Sequence, residues 1–298
     1  MQFDLKKYLK EKKRIIDKWL EEALPPENTY PEILHKAMRY TLFAGGKRIR
    51  PILMIASYDT VKRPSKYDEI IPFACGIEMI HAYSLIHDDL PIMDDDDFRR
   101  GKPTNHRVFG EAIALLAGDG LLTEAFSLMS RKHKKLSPTK ALLSIQEIAK
   151  AAGISGMVGG QVVDFQSQGK KVDKKTIEYI HNSKTGALIL ASVRVGAIIG
   201  EGDKKALDAL TKYGKAIGLC FQVMDDILDI EGEQEILGKD IGSDIEKEKA
   251  TYPAVFGMES SKDKVKELLD EAITALDSFD KNAEPLREIA RFIVKRSY

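Results

Sequence analysis

The sequence is poor in cysteine and has no excess of charge of either sign. The two cysteines among 298 residues, Cys75 and Cys220, lie far apart inside apolar runs, so we expect buried thiols and no disulfide. Basic and acidic residues balance at 46 each, whereas proteins that neutralise a phosphate polymer usually carry a basic excess. The composition therefore argues against nucleic acid as a partner, and a bound phosphate should be small and held locally.

Long uncharged apolar runs are also missing. The N-terminal segment MQFDLKKYLKEKKRII is charged throughout, and no stretch of about 18 uncharged apolar residues occurs. These absences predict a cytoplasmic protein without a stable membrane insertion. Hydrophobic residues make up 43% of the chain and charged residues 31%, which is typical of a globular protein with a substantial core.

Strand-like alternation flanked by turn pairs such as Asn-Gly is missing as well. Apolar residues instead recur at three- and four-residue spacing, and prolines cluster near the ends of these segments. The pattern predicts helices over residues 6–22, 68–87, 111–130, 141–152, 174–199, 204–229 and 262–279. We expect an all-α bundle of long helices forming a single domain, residues 1–298, with a mobile, charge-rich loop at 232–251.

One predicted helix, LCFQVMDDILDI, carries a polar stripe on an otherwise apolar surface. Its members recur at i, i+3, i+4 and i+7: Gln222, Asp225, Asp226 and Asp229. Carboxylates this close repel one another by about 4 kcal/mol per pair at roughly 4 Å in an effective dielectric of about 20, so they call for cations. A solvated surface stripe is the alternative, but the flanking residues are too apolar for a fully wet helix.

A second acidic cluster, HDDLPIMDDDDFRR, is interrupted by Pro91, which a helix interior does not tolerate cheaply. An ideal helix would place Asp88 and Asp94 about 120° apart. These two carboxylates can therefore meet one ion only if the chain between them leaves α geometry. Taken alone, such an acidic run is most often a solvated loop.

The residues around this cluster favour a ligand site over a solvated loop. Arg99 and Arg100 follow the carboxylates directly, and His81 stands two turns before Asp88 on nearly the same side of the helix. Carboxylates beside guanidiniums suit a ligand that carries both metal ions and diphosphate oxygens. Because all the candidate metal ligands are aspartates, a hard ion is favoured, and we expect magnesium.

A third element, GGKRIRP, sets Lys47, Arg48 and Arg50 beside two glycines. Glycines let a backbone approach an anion closely while basic side chains grip it, so the element predicts a second, metal-free diphosphate site. A basic helix cap on the surface is the alternative. The sequence has neither GxxxxGK[ST] nor a GxGxxG after a strand, which argues against a nucleotide loop.

Together, HDDLPIMDDDDFRRGKPTNH, GGKRIRP and FQVMDDILD resemble the bacterial trans-prenyl diphosphate synthases, and within them the farnesyl diphosphate synthases most closely. The resemblance spans roughly residues 45–252. It implies an all-α bundle around a deep central cavity, usually a homodimer, with the two aspartate-rich motifs facing each other across the cavity mouth. The implied partners are small-molecule diphosphates: isopentenyl, dimethylallyl and geranyl diphosphate.

The resemblance also implies a role for each matching position. About three magnesium ions would be bound by Asp88, Asp94 and Asp225, supported by Asp89 and Asp229. The allylic diphosphate would contact Arg99, Lys184 and Lys239. Isopentenyl diphosphate would occupy the metal-free site, formed by Gly46, Lys47, Arg50, His81 and Arg100. Thr185 and Gln222 would line the cleft near the reacting carbon. Gln161 and Asp164 match a further family motif, to which the resemblance assigns no particular role.

The implied reaction is ionisation of the allylic diphosphate, condensation, and elimination of a proton. Helix geometry alone favours Ser84, one turn before Asp88, as the residue that limits product length. The resemblance points instead to Tyr83, whose ring would form a floor and favour a farnesyl over a geranylgeranyl product. A plain core aromatic is the alternative for Tyr83.

Each alternative function can be distinguished from a prenyl diphosphate synthase by one sequence feature. A terpene cyclase or head-to-head synthase would share the aspartates but would not need the basic GGKRIRP site. A non-catalytic subunit would have a degraded aspartate motif, and both motifs are intact. The C-terminal VKRSY lacks the further charged residues with which some relatives close over the substrate, which weakens the case for closure by Arg296.

Overall fold

The computed structural model describes residues 3–62, 66–231 and 250–295, and helices dominate this part of the chain. The helices are α1 (Leu5–Ala23), α2 (Glu32–Leu42), α3 (Ile49–Lys62), α4 (Ile71–Asp88), α5 (Asn105–Phe109), α6 (Glu111–Ser130), α7 (Pro138–Ala152), α8 (Met157–Ser167), α9 (Lys174–Ile180), α10 (Ala187–Ile199), α11 (Lys204–Glu231), α12 (Tyr252–Phe256), α13 (Met258–Ala275) and α14 (Glu284–Lys295). A π-helix, His181–Gly186, joins α9 to α10, and a 3₁₀ turn, Lys281–Ala283, precedes α14. The all-α prediction is confirmed.

The predicted helices match the observed ones to different extents. The prediction for residues 111–130 coincides with α6, and that for 204–229 ends two residues before the end of α11. The prediction for 262–279 was wrong by about one turn, since α13 begins at Met258 after Gly257 and gives way to turns at Leu276. The predicted continuous helix at 174–199 contains the π-helix. The predicted mobile loop at 232–251 lies, except for Ala250 and Thr251, outside the described residues.

A two-residue hairpin follows α4. Strand β1 (Phe98–Arg99) pairs antiparallel with β2 (Lys102–Pro103), with Phe98 opposite Pro103. Arg100 and Gly101 form its turn at φ values of 54° and 73°. The hairpin matters because its tight turn fixes the direction of two adjacent arginines.

The described residues cluster into two compact units. The first unit comprises Lys6–Ile52 and Lys66–Ile145, and the second comprises Met1–Leu5, Leu53–Ser65 and Gln146–Tyr298, each within the described ranges. The predicted single domain over residues 1–298 stays a prediction.

The core of the first unit centres on α4, which packs along α6. Phe73, Ile77 and Ile80 of α4 are completely buried, as is Leu121 of α6. A helix that is apolar on nearly all sides stays ordered only when it is covered on those sides. The packing therefore holds α4 rigidly up to its last residue, Asp88.

The core of the second unit contains α10 and α11, which pack together. Val193 of α10 and Val223 of α11 are fully buried, and Ser57 Oγ donates a hydrogen bond of 2.7 Å to the Val193 carbonyl. This packing leaves the acidic stripe of α11 on a supported, regular helix.

The two cysteines are buried free thiols, as predicted. Cys75 lies in the first unit, where burial raises the pKa of its thiol. Cys220 lies in the second unit, on α11. Each thiol therefore packs as a small apolar side chain.

Within the described residues, α6 is the one helix with the length and apolar composition of a membrane span. A core helix passes the same test, and α6 packs along α4 in the first unit. A single such helix is weak evidence for membrane insertion.

Candidate active site

The predicted site residues form two groups, one in each compact unit. The first unit holds Gly46, Lys47, Arg50, His81, Tyr83, Ser84, Asp88, Asp89, Asp94, Arg99 and Arg100. The second unit holds Lys184, Thr185, Gln222, Asp225 and Asp229. Lys239 and Arg296 lie outside the described residues.

The aspartate loop, residues 88–97, follows directly on α4. The helix ends at Asp88, three residues before Pro91, and the chain then turns back so that the Asp94 amide donates to the Asp88 carbonyl at 2.8 Å. A second turn closes with the Met93 amide on the Leu90 carbonyl, also at 2.8 Å. The predicted departure from α geometry is confirmed, and it brings the backbones of Asp88 and Asp94 together.

Asp89 turns inward and anchors this loop to the hairpin. Its side chain is buried and accepts a hydrogen bond of 2.6 Å from Arg99 Nε. Burial raises the pKa of Asp89 to about 6 against the opposing effect of Arg99, and the charges of Asp96 and Asp88 add to the rise. Arg99 also donates to Asp96 at 3.2 Å, so one guanidinium holds two points of the loop.

Arg100 reaches from the hairpin to the glycine pair of GGKRIRP. Its Nη1 donates to the Gly45 carbonyl at 2.5 Å. A Cβ atom on Gly46 would lie 2.7 Å from the Arg100 guanidinium carbon, and Gly46 itself has a φ of 113°. The backbone angle therefore favours glycine, and any larger residue would displace the Arg100 guanidinium.

His81 lies among the arginines of the first unit. Burial lowers the pKa of its imidazole well below the ordinary value, and the positive charges of Arg50, Arg100, Arg99 and Arg48 lower it further. The imidazole is therefore neutral near pH 7, and the positive charges of these guanidiniums act on it. His81 and the predicted anion-binding arginines thus share one neighbourhood.

The three basic residues of GGKRIRP do not point the same way. Lys47 is exposed and Arg50 is half-buried in the first turn of α3. Arg48 is buried and forms ion pairs with Glu78 and Asp17. This differs from the expectation that all three side chains grip an anion, because the Arg48 guanidinium is occupied inside the protein.

Tyr83 and Ser84 occupy different positions on α4. The Tyr83 ring is buried and meets the His87 ring edge-on at a centroid distance of 5.4 Å. The His87 imidazole fills the space above Gly118, where a Cβ atom would lie only 2.1 Å from Nε2. Ser84 Oγ donates to the His81 carbonyl at 2.9 Å, a bond within its own helix.

In the second unit, Lys184 and Thr185 project from the π-helix toward α8 and α11. Lys184 Nζ donates to Asp164 Oδ2 of α8 at 2.6 Å. Thr185 Oγ1 donates to Gln222 Oε1 of α11 at 2.7 Å. A cavity of about 160 Å³ adjoins these side chains, and half-buried Asp225 also lines it. Asp229 is fully buried one turn further along α11.

Asp226 plays a part that the sequence did not indicate. Its carboxylate accepts from Gln222 Nε2 at 3.0 Å and from the Tyr252 amide at 2.7 Å, and it lies 3.1 Å from His181 Nε2. The i to i+4 spacing of Gln222 and Asp226 is the one signal that could have indicated the first contact. His181 and Tyr252 carried no sequence signal for this cluster.

Comparison with known proteins places these motifs in a family. Residues 31–290 match the model for polyprenyl synthetase. The chain is 44% identical to the farnesyl diphosphate synthase of Geobacillus stearothermophilus, covering 100% of this chain and 99% of that protein. It is also 44% identical to the geranylgeranyl diphosphate synthase of Cyanophora paradoxa, covering 99% of this chain and 97% of that protein.

A solved structure gives the same result. The crystal structure of an FPP/GFPP synthase from Zymomonas mobilis superposes with a TM-score of 0.86 at 38% identity, covering 97% of this chain and 98% of that one. Both aspartate-bearing segments and the GGKRIRP segment fall within residues 31–290. The chain therefore belongs to the polyprenyl synthetase family.

Proposed function

We propose that the protein is a prenyltransferase that joins isopentenyl diphosphate head to tail to dimethylallyl and geranyl diphosphate, giving (E,E)-farnesyl diphosphate. The observation that carries this proposal is the closed aspartate loop, in which Asp88 and Asp94 are joined through the backbone beside the Asp89–Arg99 pair. Carboxylates and guanidiniums on one short segment suit a ligand that brings both cations and phosphate oxygens.

The carboxylates fit magnesium ions that a substrate helps to hold. Within the described residues, no three His, Cys, Asp or Glu side chains converge into a ready-made metal cage. Magnesium usually keeps several waters and takes one or two carboxylates together with substrate phosphate oxygens. Asp88 and Asp94 in one unit and Asp225 in the other would supply such ligands, with Asp89 and Asp229 in support. When bound, the ions would neutralise the charge that develops on the departing diphosphate.

The basic residues divide between two diphosphates. Arg99 and Lys184, with Lys239, would contact the allylic diphosphate, and each described member of this group is already oriented by an aspartate. Gly46, Lys47, Arg50, His81 and Arg100 would hold isopentenyl diphosphate. The neutral imidazole of His81 among guanidiniums supports this division, because a bound diphosphate would relieve their mutual repulsion.

The chain's own groups would act mainly by orientation and charge. The allylic carbon–oxygen bond breaks and its electron pair leaves with the diphosphate, which Arg99 and Lys184 stabilise. The double bond of isopentenyl diphosphate then attacks the allylic cation, and the departed diphosphate takes up the proton that leaves. Thr185 and Gln222, fixed by their mutual hydrogen bond, would line the cleft near the reacting carbon.

The proposal of a farnesyl product depends on Tyr83, whose ring would limit the length of the growing chain. Its buried ring is backed by His87, so it forms a rigid surface five residues before Asp88. Geranylgeranyl diphosphate is the alternative product, favoured by the equal identity to a geranylgeranyl diphosphate synthase.

We also propose that the enzyme is a cytoplasmic homodimer. The outward stripe of α6 contains Leu115 and Leu116, which are 45% and 53% exposed, and Ala112 one turn earlier. Contiguous exposed apolar side chains at helical spacing are typical of an interface between subunits. Light scattering should give twice the chain mass, and Leu116→Glu should shift the protein toward monomer. An unchanged mass for Leu116→Glu would place the interface elsewhere.

The activity is tested by incubating the enzyme and Mg²⁺ with labelled isopentenyl diphosphate and each allylic primer, followed by chromatography of the dephosphorylated products. We expect farnesol as the main product with dimethylallyl and with geranyl diphosphate. Geranylgeraniol would favour the alternative product. Products without label would indicate a cyclase, and absence of any product would indicate a non-catalytic subunit.

A further inference from the structure

The basic segment GGKRIRP, residues 45–51, contains one basic residue that is too buried to bind an anion directly. Arg48 lies between Lys47 and Arg50, yet it is only 3% exposed. Its φ of 55° lies in the left-handed region, which a residue with a side chain adopts at a cost. Such strain persists only where the surroundings fix the conformation, and it clusters at functional sites.

The surroundings of Arg48 fix it at all three guanidinium nitrogens. Nη1 donates to Glu78 Oε1 at 2.8 Å, Nε to Asp17 Oδ1 at 2.8 Å, and Nη2 to the Leu42 carbonyl at 2.7 Å. These acceptors lie on α4, α1 and α2. One buried side chain therefore ties the basic segment to three helices of the first unit.

Glu78 faces the same site from the side of α4. It is 2% exposed and stands three residues before His81, on the same side of the helix. Burial lowers the pKa of Arg100, while the negative charge of Glu78 acts in the opposite direction. Glu78 therefore acts on two guanidiniums of the first unit, those of Arg48 and Arg100.

The backbone of Arg48 also sets the start of the next helix. Its carbonyl accepts from the Ile52 amide at 3.0 Å, in the first turn of α3. Arg50 lies in that turn, and Lys47 lies on the other side of Arg48. A shift of Arg48 would consequently move both neighbours.

We propose that Arg48 and Glu78 are a positioning pair for the isopentenyl diphosphate subsite, an inference that rests on the proposed function. The pair is too deeply buried to touch the diphosphate. It acts by holding Lys47 and Arg50 in place beside His81 and Arg100. Because Arg50 is placed through the Arg48 backbone, loss of the pair should weaken isopentenyl diphosphate binding selectively.

Removing one partner alone would strand a buried charge and could unfold the protein. The main test is therefore the double variant Arg48→Met/Glu78→Leu, in which apolar side chains of similar volume replace the pair. We expect a folded protein with a lowered melting temperature, because Asp17 and the Leu42 carbonyl lose their donor. The KM for isopentenyl diphosphate should rise by about tenfold or more, with an allylic KM within about twofold.

Arg39→Met is the matched control. Arg39 is also a buried arginine of the first unit and forms an ion pair with Glu21, but it lies on α2 outside the basic segment. We expect this variant to change the melting temperature without a selective change in either KM.

Glu78→Gln provides a measurement that does not depend on the double variant. It keeps the shape and the acceptor oxygen of Glu78 but removes its charge, and Arg48 is not left unpaired because Asp17 still compensates it. Removal of this negative charge would by itself tighten diphosphate binding, whereas loss of positioning would weaken it. We expect positioning to dominate, so titration calorimetry with isopentenyl diphosphate alone should give a Kd raised by severalfold. If the double variant does not fold, this titration decides the inference.

The outcomes separate the inference from the proposed function. Unchanged isopentenyl diphosphate affinity in both test variants, or equal weakening of both substrates, overturns the positioning role and leaves the prenyltransferase proposal intact. A wild-type enzyme that does not consume isopentenyl diphosphate overturns the proposed function itself.

Discussion

The aspartate loop and helix α11 present the same side-chain type on opposite kinds of backbone. In the loop, Asp88 and Asp94 meet because the chain folds back on itself, and Arg99 compensates the buried carboxylate of Asp89. On α11, Asp225 and Asp229 lie one turn apart on a regular helix. Neutral donors, the Gln222 amide and the Tyr252 backbone, bind the adjacent Asp226.

The comparison shows two ways in which a protein can stabilise neighbouring carboxylates against their mutual repulsion. The loop uses opposite charge, since Arg99 pairs with Asp89 and Asp96 and Arg107 pairs with Asp97. Guanidiniums of this kind can also bind anions. The α11 region uses hydrogen bonds from a preorganised network, which fixes direction and adds little charge. We expect substitutions in the two regions to separate turnover, substrate affinity and stability accordingly.

The largest effect on turnover should come from the proposed metal ligands, of which each region has at least one. Asp88→Ala and Asp225→Ala should each reduce kcat by about a thousandfold or more, because each removes a proposed metal ligand needed when the diphosphate departs. Steady-state assays over a range of Mg²⁺ concentrations measure this. Far-ultraviolet circular dichroism should show an intact fold.

Asp97→Ala is the control for this comparison. Asp97 is an exposed carboxylate of the same loop and forms an ion pair with Arg107. Its loss should leave kcat close to the wild-type value. Wild-type turnover of Asp88→Ala or Asp225→Ala at limiting Mg²⁺ would contradict the metal assignment.

The basic segment should separate the two substrates. Lys47→Ala and Arg50→Ala should raise the KM for isopentenyl diphosphate by about ten- to a hundredfold and change the allylic KM much less, because they remove charge from the metal-free subsite. Exposed Lys36, which pairs with Glu32 on α2, provides a control through Lys36→Ala. Equal weakening of both substrates would show that the basic residues are divided wrongly.

The hydrogen-bond network of α11 should reveal itself in stability. Asp226→Ala leaves the buried Tyr252 amide and the Gln222 amide without their acceptor, which should reduce the free energy of unfolding by about 2–3 kcal/mol. Urea unfolding measures this. Asp225→Ala should cost less stability, so two neighbouring aspartates would differ in the property they affect.

Asp226→Asn is the matched control, because the hydrogen bonds that join Thr185, Gln222 and residue 226 can reverse their direction. The new amide can donate to Gln222 Oε1, Gln222 Nε2 can donate to Thr185 Oγ1, and the remaining oxygen can still accept from the Tyr252 amide. Most of the stability should therefore return. A loss as large as that of Asp226→Ala would show that the charge of Asp226, rather than its hydrogen bonds, stabilises this region.

The residue proposed to limit product length should change the product more than the rate. Tyr83→Ala removes the ring that packs on His87 and opens space where the growing chain would otherwise end, so longer products should appear. Tyr83→Phe keeps the ring and should keep the wild-type distribution. An active Tyr83→Ala enzyme with unchanged products would place the floor elsewhere.

The smallest effect concerns pH. Burial, followed by the charges of Arg50 and Arg100, lowers the pKa of folded His81 below its unfolded value of about 6.5. Unfolding therefore takes up a proton below that pH, and stability present above it declines as the pH falls. His81→Asn should reduce this decline by at most about 1.4 kcal/mol per pH unit. Urea titrations at several pH values between neutral and mildly acidic compare the slopes, and equal slopes would contradict the expectation.

The two regions also differ in how far the sequence predicts them. The α11 stripe could be located from helical spacing because a regular helix converts sequence distance directly into direction. The loop could be predicted to leave α geometry at Pro91, but its closing bond from Asp94 to Asp88 depends on turns that spacing does not specify.

The inward course of Arg48 could not be predicted, since its partners Glu78 and Asp17 lie about thirty residues away on either side. For the same reason, His181 and Tyr252 gave no sign that they would meet Asp226. Contacts between distant segments are decided by packing, and neither residue type nor periodicity reports them.

The π-helix between α9 and α10 has a consequence for how the chain tolerates change. A π turn is equivalent to one extra residue inserted into an α-helix, and an α-helical residue corresponds to a rotation of about 100°. Deleting one residue from His181–Gly186 would let the segment relax into continuous α-helix and rotate α9 relative to α10. Lys184 could then no longer reach Asp164 while Ile177 and Ile180 of α9 stayed buried. A substitution in the π-helix changes one side chain, whereas a one-residue deletion would rotate all the side chains of α9 relative to those of α10.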